Sequence, residues 1–487
     1  MAAETDKLVA AIDMGSNSFH FCVAREVKQQ IQQVYSFKQR VRLAQGIDEH
    51  GNLSEDAIER GLQCLAQFAD KLSQLNVSEV RAVATFALRQ APNRAQFLTP
   101  ANRLLPTPVE VVAGVEEARL IYQGVRLEQP ITNNSLIIDI GGGSTEVILA
   151  GAKTPKMLHS EAMGCVSFQQ IYFSEAITKR QFKKAKLRAQ RQLHGIAAQY
   201  KRNGWQSTIG TSGTVKAIMN LCLGQASDAS RLTDAHLKKL QQQVIDNPTK
   251  LLEQGLDEQR LKVLPGGLAI LRGVFAVFDI DSMSFSRGAL REGVISEMLH
   301  SKPIASVANQ TINSISKLYH VDIAHADNVC RSLSMLIAHY ELTPQQRNLV
   351  LWAAQLHEIG LQMNAKGFQR HGHYILSQSN LPGFTIEQQQ VLAWLVLNHR
   401  KNLKSMQPLA VEIASSTQLI NALVALRIAC LLHLGHSNQS VDARLHVDAN
   451  SFQLHIGLET LGNDLLQSEL EREQDYLAAA GIKLEII

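Results

Sequence analysis

The sequence lacks the usual marks of secreted and membrane proteins. Its six cysteines have no C-x-x-C spacing and fall mostly in apolar runs, so they predict buried free thiols of a reducing compartment, with no disulfide framework or zinc site. The first residues carry no basic region followed by an apolar one. The longest apolar stretch near the C-terminus, 419–434, is interrupted by Asn421, Arg427 and His433. We therefore expect a cytoplasmic protein with at most peripheral membrane association.

Net charge is also small. The 487 residues carry a formal charge of +4, with 45% hydrophobic and 19% charged residues, which is ordinary for a globular protein of two to four domains. Nothing in this balance indicates a nucleic acid as substrate. The basic residues are nevertheless clustered, since the stretch from Lys179 to Arg191 contains seven cations and no acid.

Two glycine-rich loops of one design are the most informative feature that is present. Asp13-Met-Gly-Ser-Asn-Ser18 and Asp139-Ile-Gly-Gly-Gly-Ser-Thr145 each follow a short apolar run. Such a turn lets backbone N–H groups approach phosphate oxygens, and its leading Asp can hold a divalent ion. One loop alone would more often be a simple turn, because glycine supplies positive φ wherever a turn needs it. Two copies across a repeated domain predict a clamp on a phosphoryl chain.

The surrounding pattern predicts a duplication. Short β-type runs at 9–12, 21–24 and 31–35 precede an amphipathic helix capped by Ser54, and strands at 136–140, 146–150 and 207–209 repeat the theme. After about residue 304 glycines thin out and helical patterns take over, with the boundary near Ser301-Lys-Pro303. Segments 443–447 and 451–456 alternate with period two and predict a hairpin. We predict four domains: 1–122, 123–304, 305–435 and 436–487.

Three segments in fixed order add a resemblance. They are Ala11-Ile-Asp-Met-Gly-Ser-Asn-Ser-Phe-His20, Gly114-Val-Glu-Glu-Ala-Arg-Leu-Ile121 and Ile138-Asp-Ile-Gly-Gly-Gly-Ser-Thr-Glu146. Together with further matches at 88–90, 163–166, 210–214 and 288–293, they resemble the exopolyphosphatase / guanosine pentaphosphate phosphohydrolase family, and later segments resemble the long bacterial exopolyphosphatase form. The resemblance implies an α/β fold of duplicated actin-like (ribonuclease H-like) lobes with a cleft, plus a C-terminal all-α His-Asp-like domain and a small β tail.

The same resemblance assigns chemical roles. Glu117 matches the catalytic base and Arg89 an arginine that points at phosphate, which suits a guanidinium that binds two oxygens in one plane. Asp139 and Glu146 match ligands of Mg²⁺ or Mn²⁺, and Asp13 is a further candidate that would hold the ion through water. Without the resemblance, Glu117 would be interpreted as an acid that complements a helix dipole.

Several small and hydroxyl residues are expected to donate hydrogen bonds to substrate phosphate. They are Gly15, Ser16, Asn17, Ser18, Gly141, Gly142, Gly143, Ser144, Thr145, Gly210, Ser212, Gly213 and Thr214.

Two basic tracks could hold a long polyanion, because many phosphates bound at once release many counterions. Lys183, Lys184 and Arg188 form the first, for which a solvated helix face is the alternative. The second lies in the helical region and consists of Arg370, His371, His373, His399, Arg400, Lys401 and Lys404.

His357-Glu358, expected inside a helix of that region, resembles the signature of metal-dependent His-Asp phosphohydrolases, with Glu in place of Asp. The longer carboxylate and the absence of evident ligand spacing favour a structural or polyphosphate-guiding role over a second catalytic metal. A second departure is Arg287, which adds positive charge near the expected cleft.

The leading functional prediction is an exopolyphosphatase, a metal-dependent enzyme that processively hydrolyses the terminal phosphate of inorganic polyphosphate. The alternative is a guanosine pentaphosphate (pppGpp) 5′-phosphohydrolase giving ppGpp, which would use the same loops. A more distant alternative is an actin-like or sugar-kinase-like ATPase, since fold does not fix function. We expect a homodimer.

Overall fold

A computed structural model describes residues 7–27, 30–129, 131, 133–224, 231–300, 304–403, 417–436, 443–448, 451–457 and 464–487. The chain divides into two compact units, Met1–Lys302 and Pro303–Ile487. Across the described ranges, every helix is too short or too polar to span a bilayer.

The first unit contains two five-stranded sheets of the same topology. The strands of the first sheet are β1 (Leu8–Met14), β2 (Phe19–Val27), β3 (Gln30–Gln39), β4 (Glu79–Ala84) and β5 (Val109–Val111). Those of the second are β6 (Ser135–Ile140), β7 (Thr145–Ala150), β8 (Pro155–Glu161), β9 (Ser207–Thr211) and β10 (Ser284–Phe285). Their orders, β3-β2-β1-β4-β5 and β8-β7-β6-β9-β10, are equivalent. In both, three antiparallel strands are followed by two that run parallel to the first. The predicted duplication is confirmed.

Helices cover both sheets. They are α1 (Glu55–Gln74), α2 (Phe86–Gln90), α3 (Ala95–Leu104), α4 (Gly114–Glu128), α5 (Cys165–Tyr172), α6 (Lys179–Asn203), α7 (Ser212–Leu223), α8 (Asp234–Asp246), α9 (Lys250–Glu253), α10 (Glu258–Leu261), α11 (Leu264–Phe278) and α12 (Leu290–Leu299). The Ser54 hydroxyl accepts a hydrogen bond from the Ala57 amide and so caps α1, whose buried face includes Leu65 and Phe68.

Helices α4 and α12, which follow the fifth strand of each sheet, pack at glycine contacts. A Cβ on Gly124 would lie 1.9 Å from the Ala289 oxygen, and one on Gly293 would lie 1.9 Å from the Leu120 oxygen. The close approach of the two backbones therefore requires glycine at both points. It holds the two helices closely against each other.

A buried ionic network ties the same elements together. Arg119 of α4 pairs with Glu116 at 2.7 Å and with Glu297 of α12, while Arg81 of β4 pairs with Glu297 at 2.8 Å and with Glu110 at 2.9 Å. The two arginines are almost fully buried. Because an unpaired buried charge costs about 3–5 kcal/mol, removing one partner of this network would loosen the junction of the lobes.

The second unit is helical with a small sheet. Its helices are α13 (Ile304–Leu318), α14 (Ile323–Leu336), α15 (Pro344–Leu356), α16 (Phe368–Gln378), α17 (Ile386–Asn398), α18 (Thr417–Leu432) and α19 (Asp464–Ala478), and its strands are β11 (Ala443–Asp448), β12 (Ser451–Ile456) and β13 (Lys483–Ile486). The predicted hairpin is the antiparallel pair β11–β12. The tail also contains α19 and β13, which pairs in parallel with β12. Both elements were absent from the sequence prediction.

Two predictions for this unit are affected by the structure. His357 and Glu358 follow the end of α15 and precede a 3₁₀ turn at Ile359–Gln362, so the expectation that they lie inside a helix is wrong. The predicted boundary at 301–303 lies outside the described residues, and the four domain limits stay predictions.

Candidate functional site

The two glycine-rich loops leave equivalent strands and close in the same way. Asp13 and Asp139 are the next-to-last residues of β1 and β6. The loops that follow are closed by hydrogen bonds from the Gly15 amide to the Ser18 oxygen, 3.2 Å, and from the Gly141 amide to the Ser144 oxygen, 2.9 Å. Equal turns on equivalent strands bring the loops to the same edge of both sheets.

The loops also touch each other. A Cβ on Gly142 would lie 3.0 Å from the Ser16 Cβ and 3.3 Å from the Asn17 amide nitrogen. Beside this contact lies a cleft of about 1630 Å³. Most of the site residues predicted from the sequence line it: Asp13, Gly15, Ser16, Asn17, Ser18, Glu117, Asp139, Gly141, Gly142, Ser144, Ser212, Gly213 and Thr214.

Glu117 stands at the N-terminus of α4, where Gly114 allows a close approach to β8, since a Cβ there would lie 2.5 Å from the Ser160 Cβ. Its carboxylate accepts a hydrogen bond from Arg89 at 3.0 Å, and the same arginine nitrogen donates to the Val112 oxygen at 2.9 Å. Arg89 is thus held against Glu117 and does not line the cleft, so its contact with phosphate stays a prediction.

Four acids at or beside the cleft, Asp13, Glu117, Asp139 and Glu146, lie close enough to influence one another's ionisation. Burial, and then the charges of Glu117 and Asp13, raise the pKa of Asp139 to about 8. Burial, and then the charge of Glu117, raise the pKa of Asp13 to about 7 against the opposing effect of Arg291. The pKa of Glu146 is raised well above its ordinary value by burial and by Glu117 and Asp139. Carboxylates crowded in this way lack the positive charge that would let them all ionise.

This arrangement fits a divalent cation. One oxygen of Glu146 accepts a hydrogen bond from the Ser160 hydroxyl at 2.8 Å, whereas Oε2 is buried and has no hydrogen-bond partner within the described part of the chain. A buried carboxylate oxygen without a donor is costly unless a cation satisfies it. Mg²⁺ prefers such oxygen ligands, and Asp139, Glu146 and Asp13 are the residues that could hold it.

The remaining predicted donors have structural contacts instead. The Thr145 hydroxyl donates to the Met163 oxygen at 2.6 Å, and a Cβ on Gly143 would lie 2.2 Å from the Phe86 ring. Gly210 is packed against Met283. Thr145, Gly143, Gly210 and Glu146 are not among the residues that line the cleft.

Sequence reasoning missed a group of cations that line the same cleft. Lys38 of β3, Arg260 of α10 and Arg291 of α12 line the cleft together with His20. Partial burial, followed by the charges of Arg260, Arg291 and Arg40, lowers the pKa of Lys38 to about 8. His20 and Arg291 belong to motifs that were quoted above for the family resemblance. Their positions in those motifs could have indicated that they line the cleft. Arg287, noted from the sequence, lines the same cleft.

The predicted polyanion tracks lie elsewhere. Lys183, Lys184 and Arg188 are exposed on the outer face of α6. In the second unit Arg370 and Lys401 are exposed and His371 and Arg400 are partly buried, while His399 is only 2% exposed. Lys404 lies outside the described residues.

The fold and the cleft define a two-lobed α/β protein with paired glycine-rich loops, and comparison with known proteins identifies its family. Residues 22–302 match the Ppx/GppA phosphatase family, and residues 307–474 match domain III of Ppx/GppA phosphatases. The chain belongs to the Ppx/GppA phosphatase family.

Particular relatives agree with this assignment. The chain is 36% identical over 496 residues to a guanosine-5′-triphosphate,3′-diphosphate pyrophosphatase of Vibrio cholerae serotype O1, with 99% of each chain covered. A solved Ppx/GppA family member from Aquifex aeolicus is 25% identical, with a TM-score of 0.53 over 61% of this chain and 99% of its own. An exopolyphosphatase from Cytophaga hutchinsonii, 23% identical, shares the fold with a TM-score of 0.56 over 60% of this chain and 98% of its own.

Proposed function

We propose that the chain is a metal-dependent phosphoanhydride hydrolase that removes the 5′ terminal phosphate of guanosine pentaphosphate. The observation that carries the reaction type is the placement of Glu117 close to three further acids, Asp13, Asp139 and Glu146, beside the two glycine loops. Similarity over the full length to the Vibrio cholerae relative supports the substrate. This choice reverses the order that the sequence alone suggested, in which polyphosphate came first.

Glu117 is the proposed general base. Burial raises its pKa, and the ion pair with Arg89 opposes that rise. A base works best when its pKa lies near the working pH, so burial prepares the carboxylate to take a proton from water. Arg89 fixes the direction of one oxygen at 3.0 Å, which leaves the other oxygen of Glu117 for the attacking water.

Asp139 and Glu146, with Asp13, are the proposed holders of Mg²⁺ or Mn²⁺. When bound, the ion would neutralise charge on the phosphoryl oxygens. The loop residues Ser16, Asn17 and Ser144 are the proposed donors to the remaining phosphate oxygens.

The cations that line the cleft are the proposed site for the substrate phosphates that are not cleaved off. Lys38, Arg260 and Arg291 converge there, and the hydrogen bond from Arg291 to Nδ1 of His20 keeps that imidazole neutral as an acceptor. Charge-assisted contacts of arginine with phosphate are about twice as strong as neutral hydrogen bonds. We therefore place the metal beside Asp139 and Glu146, and the phosphate charge beside Lys38, Arg260 and Arg291.

Inorganic polyphosphate is the second candidate substrate. The observation that favours it is the acid-free, exposed cationic face of α6, far along the chain from the loops, because a pppGpp molecule needs no charge there. The family resemblance also leads us to infer a homodimer in the cytoplasm, and light scattering of the purified protein tests the oligomeric part of that inference.

The deciding experiment measures phosphate release from pppGpp, long-chain polyphosphate and ATP under identical conditions. We expect kcat/KM to be highest for pppGpp. Glu117→Gln should lower kcat by about 10² or more on every substrate that is hydrolysed, because the proton acceptor is lost while the shape stays. Glu128→Gln, an exposed acid at the other end of α4, is the matched control and should keep wild-type kcat. A Glu117→Gln variant with more than about a tenth of wild-type activity would show that the base lies elsewhere.

A further inference from the structure

A second cluster of potential metal ligands lies in the helical unit. One ligand atom from each of His325, His357 and Glu358 lies within 4.8 Å of the others. Nε2 of His325 is 3.8 Å from Oε1 of Glu358, and Nε2 of His436 is 3.2 Å from the same oxygen. The rings of His325 and His436 are stacked with centroids 3.7 Å apart. The cluster combines residues from α14, from the turn after α15 and from the segment that follows α18.

Hydrogen bonds fix the imidazole orientation. Nδ1 of His357 is 2.7 Å from the Ala354 oxygen, and Nδ1 of His399 is 2.7 Å from the Val396 oxygen. A carbonyl oxygen can only accept, so each Nδ1 carries the proton and each Nε2 keeps a lone pair. Metal-binding histidines usually donate the N–H of the ring nitrogen that does not bind the metal in this way. Nδ1 of His325 is buried and has no hydrogen-bond partner in the described chain.

The cluster opens into a pocket that several cations also line. His325, His357 and Glu358 line one side, and Arg400, Lys401 and Arg472 line another. The Arg400 guanidinium is 4.5 Å from the centre of the Phe368 ring.

A buried ion pair holds this side of the pocket in place. Arg427, fully buried, pairs with Glu473 of α19 and donates to the Lys401 oxygen at 2.7 Å and to the Asn398 oxygen. The turn that carries Arg400 is thereby fixed against the pocket.

We propose that His325, His357 and Glu358 bind one divalent transition-metal ion, and that a phosphate group binds on its open side against Arg400 and Lys401. Two imidazole nitrogens and one carboxylate suit Zn²⁺ or a neighbouring first-row ion more than Mg²⁺. Three protein ligands leave a coordination position free for a phosphate oxygen. In tetrahedral coordination, bonds of about 2.1 Å place two ligand atoms about 3.4 Å apart. Ligand atoms that now lie within 4.8 Å of one another therefore converge by at most about 1.4 Å on binding.

The site is independent of the cleft, because every residue in it belongs to the second unit. It also revises the structural role that the sequence suggested for His357 and Glu358. The third ligand, His325, lies well upstream on another helix, and only the folded chain brings it beside the other two.

The metal part is tested on the full-length protein after removal of bound ions with a chelator. Co²⁺ is added, and its visible absorption and its affinity by calorimetry are measured. We expect one tight Co²⁺ ion per chain with imidazole ligands. His357→Gln and Glu358→Gln should each weaken that affinity at least about 10-fold, a loss typical of a disturbed metal site.

Two controls separate this site from other effects. His373→Gln alters a histidine of the same unit that does not line the pocket, and it should keep the Co²⁺ affinity within about twofold of wild type, against the 10-fold loss above. Asp139→Asn removes a proposed metal ligand of the cleft, so it should affect only Co²⁺ held there and leave the absorption of the imidazole-bound Co²⁺ as in wild type. Thermal unfolding without metal shows whether the ligand variants remain folded. Equal Co²⁺ affinity in folded wild-type, His357→Gln and Glu358→Gln proteins would overturn the proposal.

The phosphate part uses inorganic phosphate added to the Co²⁺-loaded protein. We expect a saturable change in the Co²⁺ absorption, because phosphate oxygen enters the coordination sphere. Arg400→Gln and Lys401→Gln together should weaken this response about 10-fold or more, as expected from the loss of two charge-assisted contacts, and leave Co²⁺ affinity unchanged. An absorption spectrum that phosphate does not alter would show that Arg400 and Lys401 do not hold phosphate beside the ion.

Discussion

Mg²⁺ binding to the cleft should strengthen steeply between pH 6 and pH 8. Burial and neighbouring acids raise the pKa of Asp139 to about 8 and that of Asp13 to about 7. A hard cation binds the ionised carboxylate, so these protons must leave before or during binding. Metal affinity therefore rises with pH across the range in which the two groups titrate.

The size of the effect follows from the two pKa values. A carboxyl with a pKa of about 8 is ionised in about 1% of molecules at pH 6 and about 50% at pH 8, which is a gain of about 50-fold. For a pKa of about 7 the ionised fraction rises from about 9% to about 91%, which adds up to about 10-fold if Asp13 also contacts the ion.

Calorimetric Mg²⁺ titrations at pH 6, 7 and 8, each in two buffers of different ionisation enthalpy, measure both the affinity and the protons released. Asp139→Asn should weaken binding and remove most of the pH dependence, because the group that titrates near pH 8 is gone. An affinity that changes by less than about threefold from pH 6 to pH 8, with no proton release, would refute the reasoning.

Folding stability provides an independent check of the sign. Asp13 and Asp139 have folded-state pKa values above their ordinary value of 3.8, so the folded chain binds more protons than the unfolded chain between about pH 4 and pH 8. Without divalent ions, stability should fall as pH rises through that window. Mg²⁺ should raise the melting temperature more at pH 8 than at pH 6, and the opposite order would contradict the assigned shifts.

Three further predictions concern separate parts of the molecule. Glu146→Gln, like Asp139→Asn, should raise the Mg²⁺ concentration for half-maximal phosphate release about 10-fold or more, and unchanged titration curves in both variants would place the ion elsewhere. Replacing the exposed α6 cations Lys183, Lys184 and Arg188 together by Gln should raise KM for long polyphosphate more than KM for pppGpp. The salt dependence of KM for polyphosphate should also become weaker, because fewer counterions are released on binding. Equal changes of KM for both substrates would show that these cations do not bind polyphosphate. In denaturant unfolding, Gly124→Ala should cost about 1–3 kcal/mol by forcing α4 from α12, whereas Gly195→Ala, with open space around it in α6, should gain about 0.5–1 kcal/mol. Equal stability of the two alanine variants would refute the glycine-contact account.

Much of the first unit could be predicted because its signals are local. An apolar run followed by Asp and glycine is visible within about ten residues, and its second copy gives the duplicated topology. Glu117, Asp139 and Ser144 follow from the same motifs, and the folded chain brings them to one cleft. The partnership of Arg89 with Glu117 was not predictable, because it depends on how α2 and α4 meet.

Other parts depend on contacts that no local pattern records. Lys38, Arg260 and Arg291 come from a strand, a one-turn helix and the start of α12, and only the closed fold gathers them. Helix α19 was predictable in principle, since Leu466, Leu470 and Leu477 recur at helical spacing. The other residues of α19 are mostly acidic or polar, so the apolar spacing is difficult to recognise in the sequence. The role of Glu473 cannot be recognised from the sequence, because it depends on the buried ion pair with Arg427.

The duplication also accounts for the asymmetry of the cleft. In the register of the equivalent strand pairs, Asp139 is opposite Glu146 in one lobe, and Asp13 is opposite His20 in the other. The carboxylate in the first lobe adds negative charge where a cation can bind. The imidazole in the second is held neutral by burial and then by the charge of Arg291, which lower the pKa of His20, and it accepts a hydrogen bond from that arginine. Under the proposed function, this difference at one register position favours a cation beside Asp139 and Glu146, and phosphate charge beside His20 and Arg291.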